Sequence, residues 1–132
     1  MTTIAELNSI SPADFRRIGE FTKEAGISQC LRDPSKVSNA LFAIVLNEPG
    51  SKPTVVAIGA SIVPVYKRLL GIHKPDTTQT TNCRWHEDIA TAVYNGAEVS
   101  FYATLDTEHW SKRELYAIRN LLKDSVSPAW AA

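Results

Sequence analysis

A chain of 132 residues, 44% of them apolar, is of single-domain size and can bury a core of its own. Lys and Arg total 14 and so do Asp and Glu, so no global field draws the chain to nucleic acid or membrane, and any anion site must be a local patch. No apolar stretch approaches the ~20 residues of a membrane span and no apolar signal core opens the chain, so a cytoplasmic protein with Cys30 and Cys83 reduced is expected.

In chain order, Ser11-Pro12-Ala13-Asp14 reads as a helix start, with a Ser cap, Pro at the first position and an acid in the first turn. The spacing predicts a helix over 11–25, with Ile10 and Phe15 as a staple and Phe15, Ile18 and Ala25 as its apolar side. Arg16, Arg17 and Lys23 would be solvated on it, and Gly26 would end it. Residues 27–39, with Asp33-Pro34-Ser35, read as an irregular connection. Two apolar runs, 40–46 and 54–59, split by a polar turn rich in Pro and Gly, predict an antiparallel hairpin. The first run is apolar on both faces and is expected to be central. Gly59 is expected where the second strand turns into a short helix over 62–71, capped by Ser61 and carrying Lys67 and Arg68, with Pro64 in its first turn.

After a polar loop, Asn82 can cap a helix whose apolar positions are Trp85, Ile89, Ala92 and Val93, closed by Asn95-Gly96. Val99, Phe101, Ala103 and Leu105 alternate with polar residues or Tyr102, a half-buried strand. Ser111 and Glu114 then fit a capping box stapled by Trp110 and Leu115. Leu115, Ile118, Leu122 and Val126 form the stripe of the last helix, which Pro128 stops. The whole reads as one α+β domain over 1–132, with a three-stranded antiparallel sheet, flanking helices and an extra N-terminal helix.

Arg68, on a helix beside a sheet edge and a glycine, is suited to clamp a phosphate bidentately, as Lys67 is not; it is equally suited to a solvated surface. Glu114 has a complete role in the capping box, which competes with any role as a metal ligand. His86-Glu87-Asp88 lacks the i, i+4 histidine spacing of a helical zinc site and reads as a polar face. There is no phosphate-cradling glycine loop, no Cys/His zinc set and no nucleophile elbow.

Element order and local words over residues 38–131 resemble the GIY-YIG nuclease domain. Ala40-Leu41-Phe42 stands where Gly-Ile-Tyr would be, and Ala57-Ile58-Gly59 where Tyr-Ile-Gly would be. Arg68 and His73 follow at about the family's arginine and histidine distances, and Ser127-Pro128-Ala129-Trp130 resembles its closing Pro-x-Trp-Asn. Residues 97–103 look like the third strand of small phage members. The resemblance implies a DNA-acting, Mg²⁺- or Mn²⁺-dependent endonuclease. Its site would take Arg68, His73 and the positions of Phe42 and Ala57, with Glu114 as metal ligand and Lys67, Arg68, Lys74 and Arg84 on DNA. Both motif tyrosines are absent, however, and Ala131 replaces the terminal Asn. Glu114 stands farther from Pro128 than the family's glutamate, and an ungapped alignment puts Ile118 there. Slow or absent cleavage is therefore expected. The alternative is a non-catalytic binding or regulatory module on the same scaffold, with a homo-oligomer or protein partner.

Overall fold

The computed structural model describes residues 2–22, 26–27 and 37–130. Expectations for Lys23, Ala25, Cys30, Asp33-Pro34-Ser35 and Ala131 fall outside these residues. The fold is α+β: α1 (Ile4–Ile10), β1 (Phe15–Thr22), β2 (Gly26–Ile27), β3 (Ala40–Asn47), β4 (Thr54–Ser61), α2 (Val65–His73), α3 (Thr80–Tyr94), β5 (Glu98–Thr104) and α4 (Lys112–Val126). Four long strands pair antiparallel in the order β1-β5-β3-β4, and the two-residue β2 extends the sheet beyond β1.

The N-terminal expectation is corrected. Residues 11–22 are not a helix, and the sheet is larger than three strands because β1 joins it along β5. A register shift between Arg17 and Gly19 breaks the two-residue period of β1. Ile18 and Phe21 thereby face the same core at a helix-like spacing of three, while Phe15 packs into the opposite core and Arg16 and Arg17 are exposed on a strand. The true N-terminal helix starts earlier, at a Thr3–Glu6 capping box, and Ser11 is its C-cap rather than the next N-cap. Ile10 is half exposed and staples nothing.

The hairpin forms as expected, with Ala40 opposite Ser61 and Leu46 opposite Thr54. β3 lies between β4 and β5, and its two-sided apolar pattern feeds both cores. Phe42 and Ile44 face α2 and α3 together with Leu69, Ile72, Trp85 and Ile89. Leu41, Ala43 and Val45 face α1 and α4 with Leu7, Leu115 and Leu122. A bulge at Val56 puts it and Ala57 in the first of these cores, and Val55 and Ile58 in the second. The alternation of β5 and the stripe and capping box of α4 are also as read.

Helix α4 is tied to the start of β3 by a buried hydroxyl pair. Thr107 donates to the Asn39 carbonyl (2.7 Å) and pairs with Thr104 (2.9 Å), whose Oγ1 accepts from the Leu41 amide (3.0 Å). Asn39, at positive φ, donates to the carbonyls of Glu108 (3.1 Å) and Trp110 (3.3 Å) just ahead of the helix.

Two boundaries move. Gly59 is interior to β4 rather than at its turn, and α2 begins at Val65 with Pro64 as N-cap, so Ser61 is the last residue of the strand. What Gly59 provides is room, since a Cβ there would lie 2.3 Å from Phe42 Cζ. That ring is fully buried and set edge-on to Trp85, with centroids 5.8 Å apart. Gly59→Ala is expected to lower unfolding stability by about 1–3 kcal/mol, the usual cost of overpacking a core, in a urea titration followed by circular dichroism. Parental stability would show that the ring can move aside.

Candidate functional site

β4 is an edge strand, and its outer side is closed only over its first half. The Val55 amide donates to Thr2 O (2.7 Å), and the Trp130 amide to Val56 O (2.8 Å). Among the described residues, no backbone outside the sheet pairs with β4 beyond Val56. There, over Ile58, Gly59 and Ala60, the helices of the two sheet faces approach each other round the edge and leave a cleft of about 320 Å³. α2 contributes Arg68, α3 contributes Thr81 and Trp85, and α4 contributes Tyr116, Arg119 and Lys123. A second recess, bordered by Arg68 and by Thr78–Asn82 at the start of α3, shares Arg68 and Thr81 with the first.

Arg68 is half-buried, on an aromatic cushion. Its guanidinium carbon lies 5.3 Å from the Phe42 ring centroid and 5.4 Å from that of Trp85. Such cation–π placement partly replaces lost hydration. One guanidinium nitrogen donates to Asn82 Oδ1, a neutral acceptor. Burial holds the Arg68 pKa below its ordinary value, Tyr116 partly offsets this, and Arg119 lowers it further. Arg119 stacks over Tyr116, 4.6 Å from its centroid. The one ion pair among the described residues is Arg17–Glu20, on the exposed side of β1. Three cations thus share a cleft that no carboxylate lines.

The residues singled out in the sequence do not gather here, apart from Arg68 and Phe42 beneath it. Lys67, Lys74 and Arg84 are exposed and line neither recess. His73, five residues past Arg68 and about 140° round the helix, meets the edge of Phe21 (centroids 6.0 Å apart). Its buried Nδ1 has no hydrogen-bond partner among the described residues. Ala57 is fully buried, so a tyrosine there would have to displace packed neighbours. Ile118 packs in the core shared with α1.

Glu114 completes the capping box: its Oε1 accepts from the Ser111 amide (3.2 Å), while Ser111 Oγ accepts from the Glu114 amide (3.1 Å). It lies roughly opposite Tyr116 and Lys123 round α4, and it is exposed. Among the described residues, no three His, Cys, Asp or Glu side chains gather as a metal set. The donors therefore do not fit a divalent cation beside Arg68. Asn82 was expected to cap α3. It is instead the third helical residue after the cap Gln79, buried, with its amide turned to Arg68.

Arg119, Lys123, Tyr116 and Asn82 were not singled out in the sequence as site residues. A signal was available: Tyr116, Arg119 and Lys123 follow i, i+3, i+7, and a like-charged i, i+4 pair destabilises a helix unless something else uses it. Among the described residues, no helix is long and apolar enough to cross a membrane.

Arg68→Met is expected to leave stability within about 1 kcal/mol of the parent, because removing a desolvated charge offsets the orphaned acceptor on Asn82. Thermal and urea unfolding measure this. A loss of about 3–5 kcal/mol, the cost of breaking a buried ion pair, would show that Arg68 is neutralised within the chain. Glu114→Ala is expected to cost about 0.3–1.5 kcal/mol through the lost cap, read in the same unfolding titrations. No protein-family model matches the chain, and no curated protein or solved structure matches it.

Proposed function

We propose that this protein binds DNA by seating backbone phosphates in the Arg68–Arg119–Lys123 cleft, as a non-hydrolytic module on a GIY-YIG-like scaffold. One observation carries the proposal: a half-buried guanidinium without a carboxylate partner, converging with two more cations beside an open strand edge. Such an arrangement costs self-repulsion when empty and is relieved by an anion. A phosphodiester offers the two oxygens that a guanidinium fork accepts. Thr81 and Tyr116 add hydroxyls that can bond further phosphate oxygens.

The scaffold half of the proposal draws on element order. β3, β4, α2, α3, β5 and α4 follow the hairpin, two helices, strand and closing helix that the resemblance implies, with β3 between β4 and β5. The non-hydrolytic half draws on the site. Phe42 and Ala57 offer no proton-transfer group, and Glu114 is engaged as a cap away from the cleft. Phosphate recognition needs none of these groups, because charge neutralisation and positioning do the binding.

Fluorescence anisotropy with a labelled DNA duplex, repeated across salt concentrations, tests this. With three phosphates neutralised, log K is expected to fall against log salt with a slope of about −2.7. Arg119→Ala and Lys123→Ala should each make the slope shallower by about one. Chelation of divalent metal should leave binding unchanged, and the protein should not nick plasmid DNA. Inorganic phosphate that competes at the same concentration per phosphate as DNA would point to a free-anion site instead. Salt-independent binding, or parental binding by the double variant, would refute the proposal.

A further inference from the structure

Asn82 occupies a position where two forces favour a carboxylate. As the third helical residue of α3 it lies in the first turn, where the helix dipole favours an acid. It also accepts directly from Arg68, a desolvated cation for which a carboxylate would be the stronger partner. The chain has an amide there. Its orientation is fixed on both sides: Oδ1 faces Arg68, and Nδ2 donates to Gln79 Oε1 (3.0 Å). Gly71 of α2 leaves room for it, since a Cβ there would lie 3.2 Å from Asn82 Nδ2. The pairing is therefore tightly packed, and the partner it gives Arg68 is neutral.

We infer that Asn82 is a positioning residue that aims Arg68 into the cleft while leaving its positive charge uncompensated for an incoming phosphate. This rests on the DNA-binding proposal above. An aspartate would hold the guanidinium equally well and cancel its charge, giving a more stable protein with a weaker anion site. An alanine would leave the charge and lose the aim. The two substitutions are near-isosteric and truncating versions of one side chain, and they separate charge from geometry.

The experiment measures binding of the same labelled DNA duplex across salt, with thermal unfolding, for the parent, Asn82→Asp, Asn82→Ala and Arg68→Met. Asn82→Asp is expected to melt higher, to bind at least ~10-fold more weakly, and to show a salt slope shallower by about one. Asn82→Ala is expected to bind more weakly at the parental slope. A merely structural Asn82 would lower the melting temperature in both variants and leave the slope of each intact, which overturns the inference. So does failure of Asn82→Asp to fold, because the inference requires a carboxylate there to satisfy the guanidinium at least as well as the amide does. Arg68→Met weakened with Asn82→Asp at parental affinity overturns this inference alone. Parental affinity in Arg68→Met overturns the cleft itself.

Discussion

The contact on which the site and its surroundings depend is the ring of Phe42 laid against Gly59. It lets a phenyl group fill the space over the neighbouring strand, where any side chain on residue 59 would collide with it. Trp85 then closes the ring edge-on, which fixes α3 against the sheet, and Arg68 lies over both rings, which fixes the azimuth of α2. Strand, helix and cation are set by one buried aromatic. Phe42 thus acts as a packing centre that supports the cleft from below.

The cleft itself arises from the sheet edge. An edge strand exposes backbone groups that invite further pairing, and proteins usually cover or interrupt it. β4 is covered in its first half by Thr2 and Trp130, and Trp130 is held in turn by the indole of Trp85, which donates to its carbonyl (3.2 Å). The second half is bordered by side chains from helices on opposite faces. Arg68 comes round from one face, and Tyr116, Arg119 and Lys123 from the other. The threonine–asparagine bonds between β3, β5 and the start of α4 hold that second wall in place. A basic site can therefore form on a chain with no net charge.

Electrostatically, the site stores a modest imbalance. Arg68 loses part of its hydration and receives in return two aromatic faces and one amide oxygen. Neither cancels a unit charge. Elsewhere among the described residues charges are mostly exposed, so this unmet cation stands apart from the ordinary surface of the molecule. A desolvated, unpaired ionisable group in a cleft is a candidate for a functional site.

Several features were legible in the sequence because they depend on neighbours along the chain. The capping box at Ser111 and Glu114, the hairpin at residues 40–61, the alternation of β5 and the stripe of α4 follow from local bonds and strict periods. The Thr3–Glu6 box is equally local, but the stronger helix-start pattern of Ser11-Pro12-Ala13-Asp14 masks it. That pattern misleads at Phe15 and Ile18, whose spacing of three reads as one helix face, whereas a strand paired with β5 sends them to opposite faces. Arg68 could be singled out as a phosphate-type residue from its chemistry alone, but its isolation from carboxylates could not. Nor could the convergence of Arg119 and Lys123 on it, the burial of Ala57, or the turn of Asn82 from cap to partner. The sequence by itself determined most of the elements and their inward faces, because propensity, capping and period act over a few residues. Only the tertiary structure decided which cations face one another, because helices from opposite sides of a sheet meet round its edge at separations of tens of residues.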